Sequence, residues 1–265
     1  MNPIDLKLAE IKKRKRVGLM THVVVGYPDL DTTIALVKTM AEAGADFVEL
    51  QIPFSDPLAD GSTIMLACEK SLARGTRVRD AFTVAKKLSG EVTVPLLFMV
   101  YYNTVFKYGV SKFCTDATRV GISGLIIPDM PLEEEVYEHL SEHAKENGLY
   151  LIRVVAPVST EARLRKNARV AEGFVYCSAR QGITGAKKEL APDLADYLKK
   201  ARNFLSVPLA VGFGISKTEH VRQIAKYADI AVVGSAVIDV INSSSSRLLL
   251  RNVGIFVKSL RENKA

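Results

Sequence analysis

Residues 46–61 read D-F-V-E-L-Q-I-P-F-S-D-P-L-A-D-G, and this stretch is the strongest local signal in the chain. The apolar and polar residues alternate up to Pro53, which predicts a strand that runs into a loop. Side chains of a strand alternate between its faces, so Glu49 shares a face with Phe47 and Gln51. The other face is uniformly apolar and is expected to pack under helices. Glu49 is then directed toward the interior or the mouth of a sheet, where a charge is costly. We interpret it as a functional carboxylate; a structural pair with a buried Arg or Lys is the alternative.

The composition is that of a chain able to bury a large core. It has 265 residues with 48% hydrophobic content, which suits one large α/β domain or two small ones. The amino terminus is charged, and no apolar run approaches the roughly 18–20 residues that a membrane span needs. Cys68, Cys114 and Cys177 show no paired or metal-type spacing, so we expect buried, reduced thiols in a cytoplasmic protein.

The net charge of +7 is carried by the two ends of the chain. Residues 1–20 have six basic and two acidic side chains, and residues 247–265 have five and one, so the ends contribute +8 and the middle −1. No basic stripe interleaved with aromatic residues is present. This distribution argues against nucleic-acid binding.

Eight apolar, β-branched runs recur along the chain, each followed by at least one helical segment. They are predicted as strands at Thr21–Val25, Asp46–Ile52, Pro95–Tyr101, Gly124–Ile127, Leu149–Val155, Gly173–Cys177, Val207–Val211 and Ile230–Val233. Continuous apolar strands are typical of parallel sheets covered on both faces. This rhythm predicts an α/β fold, a single (β/α)8 barrel domain over residues 1–265. A doubly wound open sheet is the alternative, although no G-x-G-x-x-G follows the first strand.

Two predicted helices and one predicted loop bear on the later comparison with the structure. Residues 4–16 form an amphipathic pattern that predicts an extra N-terminal helix ending in a solvated basic face. Residues 133–147 predict one continuous helix that ends at Gly148. Residues 178–189 are polar and rich in glycine, which predicts a mobile loop that becomes ordered when a ligand binds.

The seventh and eighth strands end in glycine turns, G-F-G-I-S at 212–216 and G-S-A at 234–236. Such turns expose backbone N–H groups, and a following helix adds partial positive charge, so they predict a phosphate site. In barrels of this kind the phosphate often binds after the last two strands. The candidate ligands are Gly212, Gly214, Gly234 and Ser235, with Gly185 as a contact from the mobile loop. Tight turns without a ligand are the alternative.

Glu49 and Asp60 follow the second strand, opposite the predicted phosphate site. Two carboxylates that face a phosphate suggest acid–base chemistry on a small phosphorylated molecule, with Glu49 transferring the proton. His139 and His143 are predicted on a solvated helix face, and His220 is predicted to be peripheral. No spacing of His, Cys, Asp or Glu indicates a metal site.

Several segments together resemble the tryptophan synthase alpha subunit family. They are V-E-L-Q-I-P-F-S-D-P-L-A-D-G, Y-Y-N, I-I-P-D-M-P-L-E-E, G-I-T-G, V-G-F-G-I-S and V-G-S-A, in family order along the whole chain. The resemblance implies retro-aldol cleavage of indole-3-glycerol phosphate to indole and glyceraldehyde 3-phosphate. It implies no metal or organic cofactor in this subunit. It also implies a tryptophan synthase beta subunit as partner in an α2β2 complex, which receives the indole and condenses it with serine on pyridoxal phosphate.

The resemblance also implies a role for particular positions. Glu49 falls on the catalytic acid/base glutamate, and Asp60 on the aspartate that holds the indole N–H. The implied pocket residues are Tyr101, Ile127, Tyr176, Thr184 and Phe213. The implied phosphate ligands are Gly185, Gly214, Gly234 and Ser235. The residues implied to lie toward the partner are Pro53, Asp56, Asn103 and Pro131.

The sequence departs from the family pattern at a few positions. Gln51 stands where Gly is usual, Ser62 where Pro is usual, His22 where an aromatic residue often packs, and Ala179 where Ser is usual. Gln51 is expected either to donate to the Glu49 carboxylate or a bound water, or to turn away toward a polar loop. Two alternative functions therefore stay open: a free-standing lyase that releases indole, and a weakly active barrel that mainly activates its partner.

Overall fold

The computed structural model describes residues 1–178, 192–212 and 214–261. Eight strands in these ranges form one closed barrel in which each strand pairs in parallel with the next, and the last pairs with the first. The strands are β1 Gly18–Val24, β2 Phe47–Gln51, β3 Leu96–Met99, β4 Ile122–Ile126, β5 Tyr150–Val155, β6 Val175–Ser178, β7 Leu209–Gly212 and β8 Ile230–Val233. The barrel predicted from the sequence is confirmed.

Helices precede the barrel and connect its strands. They are α1 Pro3–Lys13, α2 Leu30–Glu42, α3 Ser62–Ala73, α4 Val78–Ser89, α5 Tyr102–Tyr108, α6 Val110–Arg119, α7 Leu132–Glu138, α8 Leu140–Glu146, α9 Glu161–Val170, α10 Pro192–Arg202, α11 Thr218–Ile224, α12 Ser235–Ser243 and α13 Leu249–Arg261.

Two helical regions differ from the prediction. The single helix expected over residues 133–147 is divided into α7 and α8, because His139 adopts a left-handed conformation with φ of 52°. The helix α5 was not predicted, since its seven residues give too short a pattern to show a helical period. It begins directly after the third strand and carries Asn103.

The strands bury two separate layers of apolar side chains, as their alternation requires. On β2, Phe47 belongs to the cluster inside the barrel, whereas Val48 and Leu50 belong to the cluster between the barrel and its helices. The predicted faces of this strand are therefore confirmed. Glu49 consequently points to the inside of the barrel, at 3% exposure.

The helix α1 closes the amino-terminal end of the barrel. Its Ile4 and Ile11 are buried in the interior cluster, and glycines leave room for them. A Cβ atom on Gly18 would approach Ile11 Cδ1 to 2.9 Å, and one on Gly124 would approach Ile4 Cδ1 to 3.1 Å. The basic residues after the helix were predicted to be solvated. One of them, Arg16, instead binds the buried carboxylate of Asp46.

Both ends of the chain meet at Asp46. Arg16 donates to both Asp46 oxygens at 2.7 Å, the backbone N–H of Leu19 donates at 2.8 Å, and Arg261 from α13 donates to the same carboxylate. Burial by itself raises the pKa of Asp46, but the two guanidinium groups and the Leu19 N–H lower it overall. This cluster attaches α1 and α13 to the closed end of the barrel, so the cavity lies at the opposite end.

Candidate active site

A cavity of about 620 Å³ lies at the carboxyl ends of the strands. Its volume is within the roughly 300–1,000 Å³ typical of small-molecule sites. Side chains from neighbouring strands and from the loop after β2 meet there, including His22, Glu49, Asp60, Met99, Ile126, Tyr176 and Val232. Because parallel strands all end on one side of the barrel, residues far apart in sequence converge on this space.

Glu49 pairs with a histidine, and not with the Arg or Lys considered from the sequence. His22 on β1 is its Cα partner in the strand register, and the distance from His22 Nδ1 to Glu49 Oε1 is 3.3 Å. Each side chain is only 4% exposed. In the described ranges, Glu49 Oε2 and His22 Nε2 are buried without a hydrogen-bond partner. Each residue therefore has one buried polar atom whose hydrogen-bonding capacity is not used by the described part of the chain.

The charge state of His22 is governed by opposing effects. Burial lowers the pKa of His22, but the nearby Glu49, together with Asp60 and the Gln51 amide, raises it above the ordinary value of 6.5. The positively charged imidazolium is thus favoured beside the Glu49 carboxylate.

Asp60 enters the cavity from the loop between β2 and α3 and is 7% exposed. Gln51 Nε2 donates to its Oδ2 at 2.6 Å, and the Tyr101 hydroxyl donates to the same atom at 3.0 Å. Burial raises the pKa of Asp60, while these donors and His22 oppose that effect. Gln51 therefore donates to the loop carboxylate and not to Glu49, which corresponds to the second of the two orientations expected from the sequence.

Tyr101 contacts the backbone of the loop after β2 as well as the Asp60 carboxylate. Its hydroxyl accepts the backbone N–H of Ala59 at 2.9 Å, and its ring stacks on Phe54 with centroids 5.2 Å apart. Burial raises the pKa of this hydroxyl, so it remains a proton donor. Tyr101, predicted to line the indole pocket, is not among the residues that line the cavity; it holds the backbone beside Asp60 instead.

The other predicted pocket residues fall into three groups. Tyr176 lines the cavity and is half-buried. Ile127 does not reach it: its side chain packs in the outer cluster, and Ile126 lines the cavity instead. Ile126 ends β4 and Ile127 directly follows it, and successive side chains of an extended segment point to opposite faces. Thr184 and Phe213 lie outside the described residues.

The predicted phosphate turns lie at the same end of the barrel. Gly234 lines the cavity, and Ser235 begins α12, so the backbone N–H groups of this helix start face the cavity end. Gly214 has φ of +47°, a conformation that favours glycine. A Cβ atom on Gly212 would lie 2.6 Å from the Tyr176 hydroxyl, so Gly212 gives this tyrosine its space. Gly185 lies outside the described residues.

The residues predicted to face a partner share the rim of the barrel around the cavity. Pro53 and Asp56 follow β2, Asn103 lies in α5 after β3, and Pro131 precedes α7 after β4. Asp56 and Asn103 are exposed, Pro131 is partly exposed and Pro53 is buried. The four residues lie on one rim because each follows a strand, and all the parallel strands end on the same side of the barrel.

Sequence reasoning missed the role of His22, which it treated only as a departure from an aromatic residue. A usable signal existed, because a polar residue on the first strand can face Glu49 on the second when the two strands are neighbours. The register between them could not be read from either strand alone.

The remaining chemistry-bearing groups lie elsewhere. Cys68, Cys114 and Cys177 are free and buried, as expected. Within residues 1–178, 192–212 and 214–261, no cluster of three or more His, Cys, Asp or Glu side chains is suited to a metal ion. None of the helices in those ranges is both long and apolar enough to cross a bilayer.

A sequence model of the family described as tryptophan synthase alpha chain matches residues 8–262. The chain belongs to the tryptophan synthase alpha chain family. The tryptophan synthase alpha chain of Caldanaerobacter subterraneus is 42% identical over 263 residues, covering 99% of both chains. That of Syntrophotalea carbinolica is 44% identical over 248 residues, covering 94% of this chain and 96% of the relative.

Solved structures of tryptophan synthase support the same family assignment. Tryptophan synthase subunit alpha from Legionella pneumophila superposes with a TM-score of 0.89 at 29% identity, covering 98% of this chain and 97% of the other. A chain of Mycobacterium tuberculosis tryptophan synthase gives 0.89 at 30% identity, covering 97% and 96%. The family resemblance stated from the sequence motifs is confirmed.

Proposed function

We propose that this tryptophan synthase alpha chain cleaves indole-3-glycerol phosphate to indole and glyceraldehyde 3-phosphate. The observation that carries the proposal is the pair of buried carboxylates, Glu49 and Asp60, in one cavity with the Gly234–Ser235 turn at its edge. The reaction breaks a carbon–carbon bond by proton transfers alone, so it requires an acid–base group and a way to hold the indole ring.

In this proposal Glu49 moves the protons. It protonates the indole ring carbon that bears the side chain and takes the proton from the neighbouring hydroxyl. The carbon–carbon bond then breaks, the hydroxyl carbon becomes the aldehyde, and the electron pair returns to the ring. Glu49 gives one proton and receives one, so the carboxylic acid with which the step began is regenerated. Its free Oε2 supports this assignment, since that atom has no partner among the described residues.

Asp60 is proposed to hold the indole N–H and to stabilise the positive charge that develops on the protonated ring. An ionised carboxylate that already accepts from Gln51 and Tyr101 is fixed in place before the ring arrives, and preorganised charge of this kind costs no reorganisation during the reaction. The apolar side chains of Met99, Ile126 and Val232 provide the cavity wall for the ring.

The phosphate is proposed to bind at Gly214, Gly234 and Ser235, with Gly185 and Phe213 as further contacts. The helix start after β8 supports this, since backbone N–H groups at a helix amino terminus favour an anion. Thr184 is proposed to close the pocket. Neither a metal nor an organic cofactor is required by these steps.

We further propose that a tryptophan synthase beta subunit binds the rim formed by Pro53, Asp56, Asn103 and Pro131 and receives the indole in an α2β2 complex. The exposed Leu58 and Phe106 on the same rim, at 85% and 58% exposure, support a protein contact there. Pyridoxal phosphate belongs to that partner. The three free thiols agree with a cytoplasmic location.

The test of the function is cleavage of indole-3-glycerol phosphate by the purified chain, with and without a beta subunit. A free-standing lyase would release indole at the same rate in both, and a barrel that mainly activates its partner would show little cleavage in either. Glu49→Gln keeps the size of the side chain but removes its proton, so we expect activity to fall by roughly 10²–10⁴-fold.

Glu142→Gln is the matched control, because Glu142 is 72% exposed on α8. Circular dichroism checks that both variants are folded. Retention of more than about a tenth of the activity in Glu49→Gln would contradict a general acid–base role.

A further inference from the structure

His22 brings a titratable group into direct contact with the proposed acid–base carboxylate. The chain has four histidines, and His22 is the one that lines the cavity. His22 and Glu49 occupy paired positions on adjacent parallel strands, so their side chains point to the same side of the sheet. The 3.3 Å separation of Nδ1 and Oε1 follows from that register and not from a flexible loop.

The surroundings of His22 favour its charged form. Glu49 and Gln51 face it from β2, Asp60 faces it from the following loop, and the electrostatic influence of Glu49 and Asp60 also extends to Tyr176 on β6. Gly234, directly after β8, and Ile64 on α3 lie beside His22 and carry no charge. The charged side chains of Glu133, Arg163 and Lys166 also line the cavity, where both cations pair with Glu133. In the described ranges, His22 is the cationic group that forms an ion pair with Glu49.

We propose that His22 is a positioning residue that shares one proton with Glu49. The proton moves between His22 Nδ1 and Glu49 Oε1, so the pair changes from imidazolium and carboxylate to imidazole and carboxylic acid without a change in net charge. This inference deepens the proposed function, on which its kinetic part rests.

The shared proton closes the proton balance of the cleavage. Glu49, protonated from His22, gives its proton to the indole carbon, which leaves a carboxylate beside a neutral imidazole. The proton then released by the substrate hydroxyl passes to Glu49 and returns the pair to its starting state.

A pH dependence follows from the sign of the shift on His22. Its pKa in the folded protein lies above 6.5, so at lower pH the pair holds its transferable proton. As the pH rises through that pKa, the imidazolium is lost and Glu49 is left as a carboxylate without a proton source. We expect kcat/KM to decrease on this alkaline side.

The first experiment measures the proton directly and needs no substrate. The imidazole resonances of the full chain are followed by NMR as a function of pH, and the His22 signal is assigned by its absence in His22→Asn. We expect a His22 pKa above 6.5 in the wild-type protein. In Glu49→Gln we expect it to fall below that of the wild type, because burial then acts without its main opposing charge.

The second experiment compares two substitutions in the pH profile of cleavage. His22→Asn retains an N–H donor near the Nδ1 position but cannot titrate, and His22→Phe keeps a ring without a donor. If His22 shares the proton, the pH profiles of both variants lack the alkaline decrease that is due to His22. In both variants kcat is then expected to be roughly 10²-fold lower than in the wild-type protein, the lower end of acid–base contributions. His143→Asn, on the exposed surface of α8, is the matched control.

The proposal is overturned if His22 titrates at or below 6.5, if Glu49→Gln leaves its pKa unchanged, or if His22→Asn retains the wild-type pH profile. The last result would mean that His22 contributes only a hydrogen bond. Failure of the wild-type chain to cleave the substrate would contradict the proposed function while leaving the NMR titration of the pair interpretable. If His22→Asn does not fold, His22→Phe supplies the assignment.

Discussion

Gln51 donates a hydrogen bond to the Asp60 carboxylate, and its removal should shift the acidic limit of the reaction. In the structure its amide donates to Asp60 Oδ2 at 2.6 Å inside a buried site. We expect Gln51→Met, which keeps the length of the side chain but has no donor, to make the ionised form of Asp60 less stable. Because the pKa of Asp60 is already raised by burial and lowered by this hydrogen bond, losing the donor raises it further.

The size of the shift follows from the strength of the hydrogen bond. A hydrogen bond to a charged group contributes about 1.5–3 kcal/mol, and one pKa unit corresponds to about 1.4 kcal/mol. Loss of this bond should therefore disfavour the ionised form of Asp60 by about 1.5–3 kcal/mol and raise the pKa of this carboxyl further. In the proposed function Asp60 is ionised when it holds the indole N–H. As the solution is acidified, the variant should therefore lose activity at a higher pH than the wild-type protein.

The assay is the pH profile of kcat/KM for indole release, combined with a carbon NMR titration of the Asp60 carboxyl group. Gln51→Gly is the companion variant: it also removes the donor but restores the space that the family pattern has at this position. Both should shift the acidic limb upward, and only Gln51→Gly should in addition improve binding if the bulk of Gln51 narrows the pocket. An acidic limb unchanged in Gln51→Met would refute this account of Gln51.

Two further predictions concern the closed end of the barrel and the phosphate site. Asp46→Asn should lower the free energy of unfolding by about 3 kcal/mol and Tm by roughly 6–12 °C, with kcat unchanged, as measured by thermal denaturation with the exposed Asp196→Asn as control. The pKa of Asp46 lies below 3.8 in the folded protein, so the stability that its carboxylate contributes is complete above pH 3.8 and is lost as the pH falls through the folded-state pKa. Equal stability of the wild-type protein and Asp46→Asn at neutral pH would contradict this prediction. Crystals grown with sulfate should show the anion on the backbone N–H groups of Gly214, Gly234 and Ser235, and an anion bound by the terminal Lys and Arg clusters instead would exclude that phosphate site.

The barrel could be predicted because its signals are local. Each strand is a short apolar run, several of them ended by Gly or Pro, and the repetition of strand and helix leaves few arrangements of a parallel sheet. Local patterns were insufficient where a backbone feature interrupted them, as at His139, whose left-handed conformation divides a continuous helical pattern. They were also insufficient for α5, where the chain enters a helix immediately after a strand.

The candidate site could be predicted in part. Glu49 and Asp60 were identified because a carboxylate inside an apolar strand, and another in the loop behind it, are unusual positions for charge. Ile127 was assigned to the cavity in place of Ile126, an error of one residue that reverses the face of a strand.

By itself the sequence determined the strand order, the interior face of β2, and the end of the barrel at which the chemistry lies, since these depend on residue period and chain direction. Only the tertiary structure decided that His22 contacts Glu49, that Gln51 donates to Asp60, and that Arg16 and Arg261 meet at Asp46. The physical reason is that the register between neighbouring strands and the return of a loop are fixed by closure of the barrel. Closure depends on the packing of all eight strands, and no local pattern encodes it.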